Sequence, residues 1–323
     1  MNKIATVITH NGSFHCDEVL AYSMIRYLYG NAHVLRTRDD KVITSFAGRE
    51  DTFVVDVGGI FNPQRRQYDH HQSTFTETFD ERSTISLSSS GLVYKYHGDD
   101  ILKKFLDERF PSLPQTIIPA LKVKMYDGWM KHIDANDVGV SAGNMFAISS
   151  AIYSRIGRMN LNWNHPDKND SRKVDEAFLR AADLATSEFL DMLWTTVNDH
   201  FLSEQIVRDA MLTCPSEHTL ILPFYCPWKG HVVRLEKELG KSFTYVAGPE
   251  TDDVTGKWRL HTIPTVGFNN RQVIPTHFKT KEGVTFIHNA GFIAAAVSKE
   301  ACLKLAQDCM DYFSTMSGAT SGC

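Results

Sequence analysis

An α/β fold, with a doubly wound parallel sheet followed by helices and a second, smaller α/β region, is what this 323-residue sequence predicts. Three observations carry that expectation. Short β-branched apolar runs alternate with helical segments at the start of the chain, the pattern of βαβ units. The middle turns to helical periodicity, and a second strand–helix alternation begins near Cys214. With 42% hydrophobic residues, the chain has material for two cores.

Taken in order, "IATVIT" (residues 4–9) is short, β-branched and apolar, and predicts a buried strand. "DEVLAYSMIRYLYG" predicts a helix with Val19, Leu20, Ile25 and Leu28 on its apolar face and Gly30 as its stop. "HVLRT" and "TFVVDVGG" predict the second and third strands. Right-handed crossovers between them make an open, doubly wound sheet. "SSSGLVYKYHG", "DDILKKFLDERF" and "PALKVKMYDGWMKHID" carry apolar residues at helical spacing. "NWNHPDKNDSRK" is polar and aperiodic, a loop or hinge, and residues 174–212 read as one long helix or two. Next come a strand "TLILP", a helix "GHVVRLEKELG" and a strand pair "FTYVAG" and "WRLHTIP" joined by the turn-rich "PETDDVTGK". "GVTFIHNAGF" is a strand entering a glycine turn, "KEACLKLAQDCMDYFS" a final helix, and "TMSGATSGC" a frayed tail. The expected boundaries are 1–165, a helical linker at 166–213, and 214–323.

A formal net charge of −4 argues against a generally basic, nucleic-acid-coating surface, though a local cationic groove or bound cations can still hold phosphates. The six cysteines are scattered without a CxxC pair and read as reduced thiols of an intracellular protein. No apolar run approaches the roughly 18–20 residues that span a bilayer, so no membrane partner is expected. No signal peptide or presequence is visible at the start. Cytoplasm or nucleus is the expected location, with mitochondria left open; monomer and homodimer are both open.

Four segments stand where a strand should end: "THNGSFHCDE" with His10, His15, Asp17 and Glu18; "VVDVGG" with Asp56; "YDHH" with Asp69, His70 and His71; and "KHIDANDVG" with Asp134 and Asp137. Ligands of open α/β sheets bind outside the carboxyl ends of the strands. Clustered carboxylates repel one another unless divalent cations offset the repulsion. Mixed imidazole and carboxylate donors suit Mn²⁺, Zn²⁺ or Fe²⁺. Two such ions about 3.5–4 Å apart can share and acidify a bridging water and neutralise phosphate charge. Taken singly, each residue also has an ordinary explanation: a surface histidine, a strand-end turn aspartate, or, for Asp137, a turn before Gly139.

This ordered set resembles the DHH phosphoesterase superfamily, which includes RecJ-type exonucleases, oligoribonucleases and manganese pyrophosphatases. The first motif departs from the superfamily's usual one His followed by two Asp. With "RTRD", "DHHQ", "LSSSGLVYK", "DANDVG", "NWNHPD", "CPWKGH" and "HNAGF", the chain resembles over nearly its whole length the Myg1-like exonuclease family, named for a melanocyte-proliferating gene. The resemblance implies a DHH-type catalytic domain, a DHHA1-like substrate-binding domain at 214–323, and metal-dependent 3′-to-5′ exonuclease activity on RNA. It implies two divalent ions, Mn²⁺ with Mg²⁺ as the alternative. The implied metal ligands are His10, His15, Asp17, Asp56, Asp69, His70 and Asp134. His71 faces the substrate phosphate, and His15 is either a ligand or a proton-transfer residue, so His71, Asp69 and His15 form the implied catalytic set.

For the polymer, Arg36 and Arg38 either supply cations beside the scissile phosphate or form a solvated face. "SSSG" is either a helix cap or a phosphate seat. The "HNAGF" turn allows close approach of backbone amides to an anion at Gly291 and resembles the glycine-rich substrate motif of the accessory domain. Arg271 and His288 are candidates for gripping the terminal nucleotide. Lys229 is a candidate phosphate contact, and Trp228 either stacks on a base or packs in the core. The expected partner is an RNA 3′ end or a short oligonucleotide. Two other functions stay open: a small-substrate phosphohydrolase acting on oligonucleotides, cyclic dinucleotides or pyrophosphate, and a non-catalytic metal-binding module.

Overall fold

The computed structural model describes residues 5–140, 151–250, 256–265 and 270–319. Its contacts divide the chain into two compact units, Met1–Thr196 and Val197–Cys323.

The first unit opens β1 (Ala5–Thr9), α1 (Cys16–Tyr29), β2 (Ala32–Arg36), α2 (Asp40–Phe46) and β3 (Thr52–Val55), followed by the two-residue strands β4 (Phe61–Asn62) and β5 (Gln67–Tyr68). The sheet order is β2-β1-β3-β5-β4. Strands β2, β1, β3 and β5 run parallel, and β4 pairs antiparallel at the edge. Both faces are covered, as the β-branched, largely apolar β1 and β3 require. Ile8 and Val54 pack on Ile43 of α2. Phe53, one residue away and so on the opposite face, meets Tyr29 of α1. Helix α1 buries Val19, Leu20, Met24 and Ile25 completely, each worth about 1.5–3 kcal/mol. It ends at Gly30, whose left-handed φ of 77° lets its N–H turn back to the Tyr27 carbonyl. The reading of the sequence passed over α2, a seven-residue helix held by its cap: the Asp39 carboxylate accepts from the N–H groups of Lys41 and Val42.

Among the described residues, five more helices belong to this unit: α3 (Ser89–Arg109), α4 (Ile118–Met125), α5 (Lys131–Asp137), α6 (Ile152–Gly157) and α7 (Ser171–Thr196), with a π-helical stretch Tyr126–Met130 between α4 and α5. The expected linker at 166–213 is divided between the two units. The reason is the small-residue face of α7, where Ala177, Ala181, Ala182 and Ala185 are buried and allow close approach to α1. There the Ser23 hydroxyl donates to the Ala182 carbonyl at 3.0 Å, and Phe178 packs edge-on to Phe14.

The second unit begins with a π-helical stretch, Val197–Leu202, then α8 (Ser203–Thr213), β6 (Thr219–Ile221), α9 (Lys229–Leu239), β7 (Tyr245–Pro249), β8 (Trp258–Thr262), β9 (Val284–Ile287), β10 (Ile293–Ala296) and α10 (Lys299–Ala319). Its sheet runs β6-β7-β8-β10-β9. Only β6 and β7 pair in parallel; the rest is antiparallel. Val207, Met211, Val232 and Leu235 pack on one face, and Cys302, Leu305 and Cys309 of α10 on the other. Strand β10 is hidden in the sequence because "IAAA" lacks the β-branched signature of a strand. Residues 251–255 of the expected turn and the tail from residue 320 lie outside the described residues. Among the described residues no helix is long and apolar enough to cross a membrane. Cys16, Cys214, Cys226, Cys302 and Cys309 are free thiols.

Candidate metal centre

Parallel neighbours point the same way, so β1, β3 and β5 deliver their following residues to one edge of the sheet. His10 follows β1 by one residue, Asp56 follows β3, and Asp69, His70 and His71 follow β5. The first turn of α1 adds Asp17 and Glu18, and its cap adds His15. The last residue of α5 adds Asp137. Three groups of ligand atoms lie within 4.8 Å of one another: His10, His15, Glu18 and Asp56; Asp56, His70 and His71; and His15, Asp17 and Asp137. Asp56 and His15 are each shared by two groups.

The chain bends sharply to make this edge. Asp56 has φ 55°, a left-handed conformation that costs a non-glycine residue roughly 1–2 kcal/mol. Its N–H is tied to the Tyr68 carbonyl at 3.2 Å. The loop carrying His15 is held from two sides. Asn160 both accepts from the Phe14 N–H and donates to the Phe14 carbonyl, at 2.8 Å each. Arg36 donates to the Gly12 carbonyl at 2.6 Å.

The donor set fits a divalent cation. Asp17 Oδ1, Asp56 Oδ1 and His70 Nε2 are buried and have no hydrogen-bond partner of good geometry. Their side chains meet: His70 Nε2 stands 3.3 Å from Asp56 Oδ1, 3.3 Å from Asp137 Oδ2 and 3.9 Å from the other Asp17 oxygen, Oδ2. Leaving such atoms unpaired away from water costs about 1–3 kcal/mol each, more for charged groups. His10 donates from Nδ1 to the Asn11 carbonyl at 3.0 Å, which turns Nε2 toward Glu18 (3.1 Å) and Asp56 (3.2 Å). A backbone hydrogen bond of that kind fixes the tautomer of ligating histidines.

The ionisations point the same way. Burial lowers the pKa of His10, but hydrogen bonds to Asp56 and Glu18 override it and hold the imidazole proton up to about 10. Burial likewise opposes a raised His70, yet Asp56, Asp17 and Asp137 carry it up to about 9. Burial pushes the Glu18 carboxyl up to about 8 against the His10 bond, and burial with the Asp17 charge pushes Asp137 up to about 8. Asp56 is the exception: burial is outweighed by His10 and His70, which hold it well below the usual carboxylate range. Protons here occupy positions a cation would take, so cation binding releases protons.

The structure brings together His10, His15, Asp17, Asp56, His70 and His71; the two other expected ligands, Asp69 and Asp134, have hydrogen-bond partners elsewhere, although Asp134 Oδ2 is buried without one. Asp69 is spent as a brace: Oδ2 accepts from the Gly59 N–H at 2.6 Å, and Oδ1 from the N–H and Nδ1 of His71. Asp134 faces the start of α3, where it accepts from the N–H and hydroxyl of Ser88 at 3.1 and 2.7 Å. Gly91 is required there, because a Cβ would collide with that carboxylate. Asp137, read as a turn residue, is the member of "DANDVG" that reaches the cluster. Glu18 was assigned no role, although its place one residue after Asp17 on a helix start was a usable signal. The "SSSG" hydroxyls of Ser88 and Ser89 are committed to carboxylates, with Ser89 donating to Asp17 at 2.6 Å.

The expected substrate-binding residues divide similarly. Arg36 is buried, sandwiched between Phe14 and Phe178, and braces the loop. Arg38 is exposed just after β2. In the second unit Arg271 is consumed by both carboxylate oxygens of Glu236 at 2.7 Å. The Gly291 amide donates to the His288 carbonyl at 2.8 Å, and its Cα faces the Ile274 carbonyl, so packing rather than an anion requires glycine. His288 is exposed against Phe292, and Lys229 is exposed over the Trp228 ring.

Residues 6–310 match the family model MYG1_exonuc, described as "Uncharacterised protein family (UPF0160)". The MYG1 protein of Dictyostelium discoideum is 34% identical, with 93% of this chain and 95% of that protein aligned. The MYG1 exonuclease of Rattus norvegicus is 32% identical over 93% of this chain and 83% of that protein. Among solved structures, RecJ in complex with Mn²⁺ from Thermus thermophilus aligns with 95% of this chain and 52% of its own at 12% identity and a TM-score of 0.29, a likeness too low to carry an argument.

Proposed function

The chain belongs to the MYG1_exonuc family, and from that premise we propose that it is a metal-dependent phosphodiesterase, an exonuclease that shortens RNA from the 3′ end. One observation carries the chemistry: Asp17 Oδ1, Asp56 Oδ1 and His70 Nε2, buried without partners, converge at the strand ends. His10, Asp17, Asp56, His70 and Asp137 would hold the cations, with His15 and Glu18 beside them. Asp56 is common to two of the groups and would serve as a ligand in either. Bound divalent ions there supply neutralisation of phosphate charge and a water of lowered pKa.

The remaining steps belong to side chains. His71 is 64% exposed, and Asp69 holds its Nδ1 at 2.7 Å, leaving Nε2 directed outward. That atom is placed to hydrogen-bond a phosphate oxygen at the mouth of the cluster. Asp69 thus orients the histidine that meets substrate, in the way a carboxylate orients an imidazole in other hydrolases. Asn160 and Arg36 keep the loop bearing His15 in register. Activity should therefore require added divalent metal, which would supply the charge neutralisation and the water of lowered pKa.

The test is product analysis with RNA labelled at its 5′ end, incubated with Mn²⁺ beside the Asp56→Asn variant. The expected result is a ladder shortening from the 3′ end, absent in the variant. Survival of RNA with hydrolysis of dinucleotides or pyrophosphate would replace the polymer substrate with a small one. No hydrolysis of either by metal-loaded protein would overturn the enzymatic reading.

A further inference from the structure

The second unit contains a cavity of about 270 Å³ that has no part in the acid cluster. Its mouth is the loop between β6 and α9, where Phe224 and Tyr225 are 52% and 59% exposed. Adjacent aromatic rings held half in water add little to the core of their own unit. Exposed aromatic faces are what stacking ligands use. Deeper in, Trp228 is buried and lines the cavity, with His261 edge-on at 5.7 Å. Burial, and then the cations of Lys229 and Arg259, lower the His261 pKa to about 4. The ring is therefore neutral near pH 7, with one nitrogen donating and the other accepting. Glu250 and Arg259 form an ion pair in the same wall, setting a carboxylate acceptor beside a guanidinium donor.

We propose that this cavity takes one nucleobase, stacked at the mouth by Tyr225 and Phe224 and read at its edge by His261 and the Glu250–Arg259 pair. The volume lies just below the roughly 300–1,000 Å³ of ligand pockets, which suits a single base. An aromatic ligand with both donors and acceptors on its rim matches a wall that presents both. The choice of a nucleobase among such heterocycles rests on the nucleic-acid substrate proposed above. The cavity is distinct from the glycine turn at Gly291, whose amide is already bonded. The base can belong to a strand end or to a free nucleotide, since both present the same ring.

The test is calorimetric titration of the full chain in EDTA, so that hydrolysis plays no part. Nucleoside 5′-monophosphates are titrated beside ribose 5-phosphate, which keeps sugar and phosphate and lacks the base. The nucleotides should bind at least tenfold more tightly than ribose 5-phosphate. Tyr225→Ala should weaken nucleotides about tenfold, as loss of one stacking ring does, and Tyr225→Phe should restore binding. Asp56→Asn should bind like the wild type. A deoxytrinucleotide that binds more tightly than the mononucleotides identifies a strand end as the occupant; equal affinity identifies the free nucleotide. Equal binding of ribose 5-phosphate and nucleotides, or no effect of Tyr225→Ala, would overturn the proposal. The two readings fail separately. Protein that degrades RNA without binding a base here loses only the pocket, and protein that binds bases without degrading RNA loses only the nuclease.

Discussion

The two units treat charge in opposite ways. In the first, acids are left unspent: Asp17, Asp56, Glu18 and Asp137 crowd one sheet edge, and buried oxygens there lack partners. In the second, the cations that look available are already paired: Arg271 to Glu236, Arg208 to Glu238, Lys281 to Asp308. The sheets explain the difference. Parallel strands β1, β3 and β5 send every following loop to the same edge, so polar residues accumulate. The largely antiparallel sheet of the second unit returns each loop to alternating edges, so charges meet singly and pair. A residue's charge is therefore a poor guide to function until its partner is known.

The comparison breaks first at Asp56. Asp56→Asn should lower Mn²⁺-dependent hydrolysis by at least about a hundredfold, read as the rate on RNA. It should also lower the melting temperature of the EDTA-treated protein, because His10 and His70 lose the carboxylate they share. An unchanged Mn²⁺-dependent rate would mean that the carboxylate serves the fold alone.

Asp137 and Asp134 sharpen it within one helix. Asp137→Asn should weaken Mn²⁺ binding about tenfold or more in calorimetry with little change in stability. Asp134→Ala should cost about 2–3 kcal/mol in urea unfolding, because the Ser88 N–H and hydroxyl lose their buried acceptor. If the two effects were exchanged, the assignment of Asp137 to the cluster would fall.

In the second unit, Arg271→Ala should destabilise by about 2–3 kcal/mol, somewhat less than a fully buried pair, since buried Glu236 loses its cation and keeps only the Phe243 N–H. Affinity for nucleotides should not change. A loss of affinity at constant stability would return Arg271 to the substrate.

The smallest expected effect is a slope. His97, hydrogen-bonded to the Tyr68 hydroxyl at 2.7 Å, has its pKa lowered from 6.5 to about 4 by burial and then by the Arg66 charge. The folded state prefers the neutral ring, so this contribution is complete above pH 6.5 and is lost as pH falls toward about 4. One proton is worth at most about 1.4 kcal/mol per pH unit. His97→Gln should flatten the stability curve over that window by up to this amount, measured by urea unfolding at several pH values; an unchanged slope would show that other groups carry the acid sensitivity.

Much of this was legible in the residues alone. Runs such as "TVIT" and "FVVD" read as buried strands because both faces of the sheet are covered. The order of the four His/Asp segments located the cluster because strand ends in a parallel sheet share an edge. What stayed hidden depends on rotation and on distant partners. Which of Asp134 and Asp137 faces the metals is set by how α5 is turned, and Asp134 is claimed by Ser88, 46 residues away. Arg271 looked free because Glu236 lies 35 residues off. Strand β10 was missed because alanines pack under α10 where larger side chains would signal a strand.

The left-handed backbone at Asp56 has a practical consequence for directed evolution. Glycine relaxes at φ 55° where aspartate does not, but it also removes the charge that His10 and His70 pair with. A library sorted by heat resistance alone should therefore not enrich Asp56→Gly, because the roughly 1–2 kcal/mol released in the backbone is set against two buried imidazoles left without their shared carboxylate. Any stabilised version of this protein should be built with that residue held fixed.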